Sequence, residues 1–299
     1  MTWVDSDRVV AARSKHGAID VVVGTVHGFQ RHQTARNGAV LTYFGFLSVF
    51  PLFMVATSVL GFILQGNSEL RDEIVDTAIA QIPVIGSQIE SETGELEGSV
   101  LAVVIGLLIA LWAATRAFAG LQNAFDDVWE IAVTERENLA VRRLRSVVAI
   151  VVIGGSLVLT TGLSSVVSMG LVPVVGGIAL WVGIAAINAA VLAFMYRFMT
   201  AADVTWRVAW PGAILGGVGF ALLQYFGSLL VQRFLASASD TAGTFAIVFA
   251  LMAWLNLHAM VSLAGAELNA ALRRRRGRLD DLAMWLQADP DHPPVDQSG

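Results

Sequence analysis

The chain has 299 residues, of which 56% are hydrophobic and only 14% charged, with a formal net charge of −5 and a mean hydropathy of +0.67. An ordinary soluble domain is about 25% charged, so this composition argues against a water-soluble enzyme. The absence of cysteine excludes disulfides, thiolate catalysis and cysteine-ligated zinc or iron–sulfur sites.

The charges are also unevenly placed: stretches of 32, 18, 51, 25 and 26 residues contain no Asp, Glu, Lys or Arg. A hydrocarbon core about 30 Å thick needs roughly 20 apolar residues per helix. The pattern predicts an all-α polytopic membrane protein with six transmembrane helices, an N-terminal interfacial helix and a helical outside loop.

Residues 1–16 form a polar tail without the apolar core of a secretory signal. From Gly17 to Arg36, Ile19, Val22, Val23, Val26 and Phe29 recur at helical spacing opposite Asp20, Gln30 and Arg31, which predicts a helix lying on the inner leaflet. The first span, 39–64, contains fourteen Leu, Ile, Val or Phe residues between Leu41 and Leu64. These contribute about −4 to −8 kcal/mol to insertion, enough to outweigh Pro51 and the hydroxyls. The following loop, 65–98, carries eight acids and one base, with a surface helix expected over Glu69–Ile82.

The second span, 98–116, is continued by Phe118, Leu121, Phe125, Val128 and Trp129 at steps of three and four, so one helix leaves the membrane near Arg116. The 51-residue stretch is too long for one crossing. Pro173, Gly176 and Gly177 divide it into a hairpin of spans 146–171 and 177–198. The last two spans are 208–231 and 243–266. The transmembrane domain thus covers 17–276, and 277–299 is an acidic, proline-containing cytoplasmic tail.

Of the nineteen Lys and Arg residues, seventeen fall on one side of this arrangement. The positive-inside rule makes that side, and with it both termini, cytoplasmic. The Arg273–Arg276 run with Arg278 is then a basic anchor beside anionic headgroups. A nucleic-acid patch is the lesser alternative for this run, and no nucleic-acid partner is expected.

Three segments carry a family resemblance. Ala39 to Leu52 (AVLTYFGFLSVFPL) resembles the first membrane helix of the YihY/BrkB family of bacterial inner-membrane proteins. Gln122 to Trp129 (QNAFDDVW) is similar to its segment after helix two. Gly265 to Ala270 (GAELNA) matches the most specific string, near the end of helix six. One departure is Thr241 to Thr244 (TAGT), where the family often has a Tyr-Gly-Ser-like turn. The resemblance marks Asn123, Asp126, Trp129, Gly265, Glu267 and Asn269 as motif residues and implies six helices with inside termini. It also brings three functional labels: a former ribonuclease assignment, read here as mistaken, a virulence-factor label, and a role in envelope lipid export.

Polar groups at membrane depth are costly and face a bundle interior or a cavity. Glu267 sits near the inner boundary, with Arg36, Arg116, Arg197 or Arg207 as expected partners. It reads either as an ion pair pinning helix ends or as part of a gate or proton-coupled step. Asn256, Met260, Leu263 and Glu267 share one helical stripe; His258 lies about 200° away and reads as a buried hydrogen-bonding residue. Pro51 removes a backbone donor, so Phe44, Ser48 and Pro51 are either a packed kink or the lining of a cavity that flexes. Asn123, Asp126, Asp127 and Glu130 read as a solvated helix end paired to the next loop.

The candidate cavity or gate is therefore Phe44, Ser48, Pro51, Asn256 and Glu267, with no catalytic residue, metal or cofactor expected. Membrane lipids are the expected partners. An amphiphilic or lipid-linked substrate favours a transporter or flippase-like exporter, and a non-transporting scaffold or assembly factor is the alternative. The oligomeric state is left open.

Overall fold

The computed structural model describes residues 12–13, 16–63, 100–168, 174–237 and 240–288. Outside the described residues lie the acidic loop 65–98 with its expected helix, the hairpin turn at 169–173, the last residues of the tail, and the side chain of Pro51.

Among the described residues there are seven α-helices and no strand. They are α1 (Gly17–Arg31), α2 (Thr34–Ile63), α3 (Val100–Val128), α4 (Leu139–Ser168), α5 (Val174–Phe198), α6 (Trp206–Ser237) and α7 (Asp240–Ala288). Helices α2 to α7 touch their chain neighbours in turn, and α7 closes the ring by packing on α2. It also holds α1 and touches α3.

Several helices run well past the apolar stretches that announce them. Helix α3 continues to Val128, α4 begins at Leu139, and α7 extends for 49 residues through the arginine run. Charge-free stretches delimit the part of a helix that avoids water, while backbone hydrogen bonding carries the helix on into polar surroundings. Two stretches among the described residues, Trp206–Gln224 and Val248–Arg278, are long and apolar enough by length and composition to cross a membrane; Val182–Phe198 is a shorter apolar helix.

Large apolar side chains face outward along several helices, among them Leu108 (62% exposed), Trp112, Val151, Val182, Leu222 and Phe249 (68% exposed). Water does not tolerate so much outward apolar surface on a monomer. The buried core lies toward the end where the chain's basic loops gather. Phe125 and Val128 of α3, Ala149 of α4, Tyr196 and Met199 of α5, Ala213 of α6, and Leu263 and Ala266 of α7 meet there.

At that end α5, α6 and α7 are pressed together. A β-carbon at Gly212 would run into the Gly265 carbonyl, and one at Gly265 into the Tyr196 hydroxyl. Two glycines are thus what lets α6 and α7 cross backbone to backbone. The Tyr196 hydroxyl donates to the Ser262 carbonyl at 2.7 Å. Pro211 lies one turn inside α6. Around it, Asn269 accepts from the Gly212 amide at 2.6 Å and donates to the Ala209 carbonyl at 3.0 Å.

Candidate functional site

The basic end of the bundle holds two neighbouring polar clusters, which meet at Asp127. The first is centred on Glu267, whose side chain is 0% exposed. Its Oε1 lies 2.8 Å from His32 Nδ1 and accepts from the Thr34 hydroxyl at 3.0 Å. Its Oε2 has no hydrogen bond, with Arg274 Nη2 at 4.0 Å. Helix α1 reaches this carboxylate through Gly28, where a β-carbon would collide with Oε2.

His32 and Thr34 are placed by the sharp turn between α1 and α2, in which Gln33 takes a φ of 51°. A left-handed backbone is uncommon for a residue with a β-carbon, and such conformations gather at functional sites. A second one occurs opposite, at Glu130 (φ 58°), just after α3 ends. Glu130 Oε1 lies 3.5 Å from His32 Nε2, 3.3 Å from Arg31 and 3.0 Å from Arg274. Arg31, His32, Gln33, Arg36, Asp127, Glu130, Ile131 and Arg136 together line an open groove of about 360 Å³.

The second cluster fastens the ends of α3, α4 and α5. Asp126 is 3% exposed; its Oδ1 accepts from the Thr200 hydroxyl at 2.9 Å and the Ala201 amide at 2.8 Å. Asp127 takes Arg136 at 2.6 Å and the Asn37 amide at 3.3 Å. Asn123 accepts from Arg142 at 2.6 Å, and Gln122 bridges to Ser146 at 3.1 Å. Trp129 lies under the Arg273 guanidinium, 5.4 Å from ring centre to cation. Arg145 pairs with Glu137 and donates to the Thr200 carbonyl. It also lines a second cavity of about 300 Å³ with Arg197, Phe198 and Trp206.

Two sequence expectations change here, and one further residue joins the site. The partners of Glu267 are His32, Thr34 and Arg274, not Arg36, Arg116, Arg197 or Arg207, because α1 folds back onto α7 and delivers its own turn to the carboxylate. Asp126 is not part of a solvated helix end: it is buried and hydrogen-bonded to the backbone beyond α5. His32, which the sequence reading did not single out, is a buried member of the Glu267 cluster. It lies in the same inside segment as Arg36, one of the arginines considered for Glu267, so widening the partner search from arginines to every polar residue on that side would have found it.

The five residues named as a cavity or gate do not form one cluster. Asn256 donates to Thr42 of α2 at 3.2 Å, and Met260 fills the space beside Gly38, so the Asn256–Glu267 stripe faces α2. Phe44 turns instead to α3, edge-on to Trp112 at 6.5 Å. Ser48 donates back to the Gly45 carbonyl at 2.8 Å. Phe44, Ser48, Asn256 and Glu267 line neither groove described above. His258 sits between Trp254 and Phe220, with Nδ1 2.9 Å from the Trp254 carbonyl. Among the described residues no three His, Asp or Glu side chains converge in a metal-binding group.

An all-helical bundle with an outward apolar belt and, among the described residues, its charges gathered at one end is an integral membrane protein. The chain belongs to the Virulence factor BrkB family, whose model matches residues 25–289. A UPF0761 membrane protein of Chromohalobacter salexigens is 26% identical over 259 residues, 84% of this chain and 62% of that protein. Inner membrane protein YhjD of Escherichia coli is 24% identical, over 76% of this chain and 73% of its own length. A putative ribonuclease-like protein, YfkH of Bacillus subtilis, is 21% identical, over 84% of this chain and 94% of its own. This chain therefore spans less than two thirds of the Chromohalobacter relative. No solved structure matches it.

Proposed function

We propose that the chain crosses the bacterial inner membrane six times, through α2 to α7, with both termini and the polar clusters on the cytoplasmic side. Each of these helices exceeds the roughly 20 residues that a crossing needs, and the base-rich end meets the positive-inside rule. Helix α1 then lies along the inner leaflet, with Ile19, Val22 and Val26 exposed toward lipid and Asp20 turned to Arg275 and Arg278 of α7.

Within that frame the protein moves an amphiphilic or lipid-linked envelope substrate and catalyses no reaction. The observation that carries this reading is Glu267: a fully buried carboxylate at the inner boundary, with one oxygen left without a hydrogen bond. A buried carboxylate whose hydrogen bonding is incomplete is costly in a purely structural role, and intramembrane carboxylates mark substrate and ion pathways. The test is reconstitution into liposomes with fluorescent or isotope-labelled lipid. Movement across the bilayer that falls at least tenfold in Glu267→Gln supports the reading; equal movement in protein-free liposomes defeats it.

The Gly212–Gly265 contact favours the second reading, a static scaffold, because backbones pressed together resist rocking. Crosslinking that recovers a stable complex, in a protein whose cellular role survives Glu267→Ala and Asn256→Ala, selects it. The nuclease label is tested separately: purified protein is expected to leave RNA intact with or without divalent metal.

A further inference from the structure

The proton arithmetic at His32 points past a simple ion pair. Glu267 Oε1 already accepts from Thr34, and a carboxylate only accepts, so the ring nitrogen 2.8 Å away, Nδ1, carries the hydrogen. In the neutral imidazole this leaves Nε2 as a bare lone pair. That nitrogen is buried without a hydrogen bond on a side chain 6% exposed. The ring nevertheless lines the 360 Å³ groove, where two left-handed residues, Gln33 and Glu130, hold the walls.

We infer that His32 and Glu267 are a proton-binding relay, reached from the cytoplasm through this groove. A proton from water binds His32 Nε2, and Nδ1 passes its own hydrogen to Glu267 Oε1. The imidazole ends neutral with its hydrogen on Nε2, and Glu267 ends as a carboxylic acid, so one proton has entered and none is lost. The reverse transfer, or rotation of the ring, resets it.

The surroundings select a proton over other ligands. The charged groups facing the ring are Arg31 from α1, Arg36 from α2, Asp127 from the end of α3, Glu130 just after it, Arg136 from the following turn, and Glu267 and Arg274 from α7. A metal ion at Nε2 would meet four arginines, and the nearest carboxylate outside the pair, Glu130, is already committed to Arg31 and Arg274. A small anion would meet the lone pair of Nε2 and the carboxylates of Asp127 and Glu130. A proton needs only the lone pair. Its arrival discharges Glu267 beside Gly28 and Arg274, the place where α1 is held to α7. Use of this proton as the coupling ion rests on the transport reading; its binding does not.

The experiment uses the full chain in lipid nanodiscs, ¹⁵N-labelled at histidine, over about pH 5 to 8, the range in which imidazoles change charge. The expected result is one ring whose hydrogen sits on Nδ1 at the alkaline end and which gains a proton on Nε2 as pH falls. That signal disappears in His32→Gln, and the Nδ1 preference is lost in Glu267→Gln. Infrared difference spectra across the same pH change should show a carboxylic-acid band, absent in Glu267→Gln and reduced at least fivefold in His32→Gln, with Arg197→Gln unchanged. A His32 ring that does not titrate, or a band that persists in both variants, overturns the relay. If His32→Gln fails to fold, the wild-type tautomer and its titration still decide. A relay seen spectroscopically without lipid movement by a pH gradient would leave the proton site standing and remove the transport reading. Movement that is indifferent to His32→Gln, with no titrating ring, would do the opposite.

Discussion

The two sides of α7 at the basic end are built on opposite terms, although one short string, Gly265 to Asn269, supplies both. Toward α6, Gly265 and Asn269 meet backbone directly and every polar atom named there is hydrogen-bonded. Toward α1 and α2, Glu267 is just as buried yet keeps one oxygen unbonded, beside a histidine with a bare nitrogen. The first side is a weld. The second leaves part of its hydrogen-bonding capacity open, which the proposed relay uses.

Substitutions should separate the two sides. The largest effect on stability is expected at the weld. Gly265→Val puts a branched side chain into Tyr196 and the Gly212 carbonyl, where overpacking costs typically 1–3 kcal/mol and occasionally more. It should abolish a monodisperse peak in fluorescence-detected size-exclusion chromatography. Asn269→Leu leaves the Gly212 amide and the Ala209 carbonyl of α6 without their partner, a loss of about 1–3 kcal/mol, read as a lower melting temperature of the detergent-solubilised protein.

Asp126→Ala should cost a similar or slightly smaller amount, because the Ala201 amide lies near the bundle end where water can replace the carboxylate. Faster hydrogen exchange at 200–202 would report it. Glu267→Gln is nearly isosteric and still accepts from Thr34, so its melting temperature should stay within about 2 °C of wild type, corresponding to about 1 kcal/mol for a chain of this size, while lipid movement collapses. The smallest effect belongs to Asp20→Asn. Its partners Arg275 and Arg278 are substantially exposed, so the change should stay within about 1 kcal/mol and fade at high salt. A Glu267→Gln protein that melts like Gly265→Val would erase the distinction between the two sides.

The all-α character of the chain was legible in its charge-free runs, because the energy that forms such helices is written locally in fourteen apolar residues between Leu41 and Leu64. The reach of the helices was not, since nothing in a hydropathy pattern stops α7 at Ala266. Within the site, helical geometry rightly put Asn256, Met260 and Glu267 on one stripe. It could not say that the stripe meets Thr42, Gly38 and His32, because those contacts join residues more than 200 positions apart. Asp126 was equally opaque. One of its partners is a main-chain amide at Ala201, and an amide has no letter in the sequence.

Helix α7 continues for 21 residues beyond Glu267 to Ala288 without a break, a length of about 31 Å. An uninterrupted helix of that length works as a pointer. A tilt of only 5° at Glu267 swings its tip by about 3 Å, so a rearrangement too small to see among packed side chains becomes a measurable displacement beyond the bundle. A spin label at the far end of this helix would read the charge state of a carboxylate it never touches.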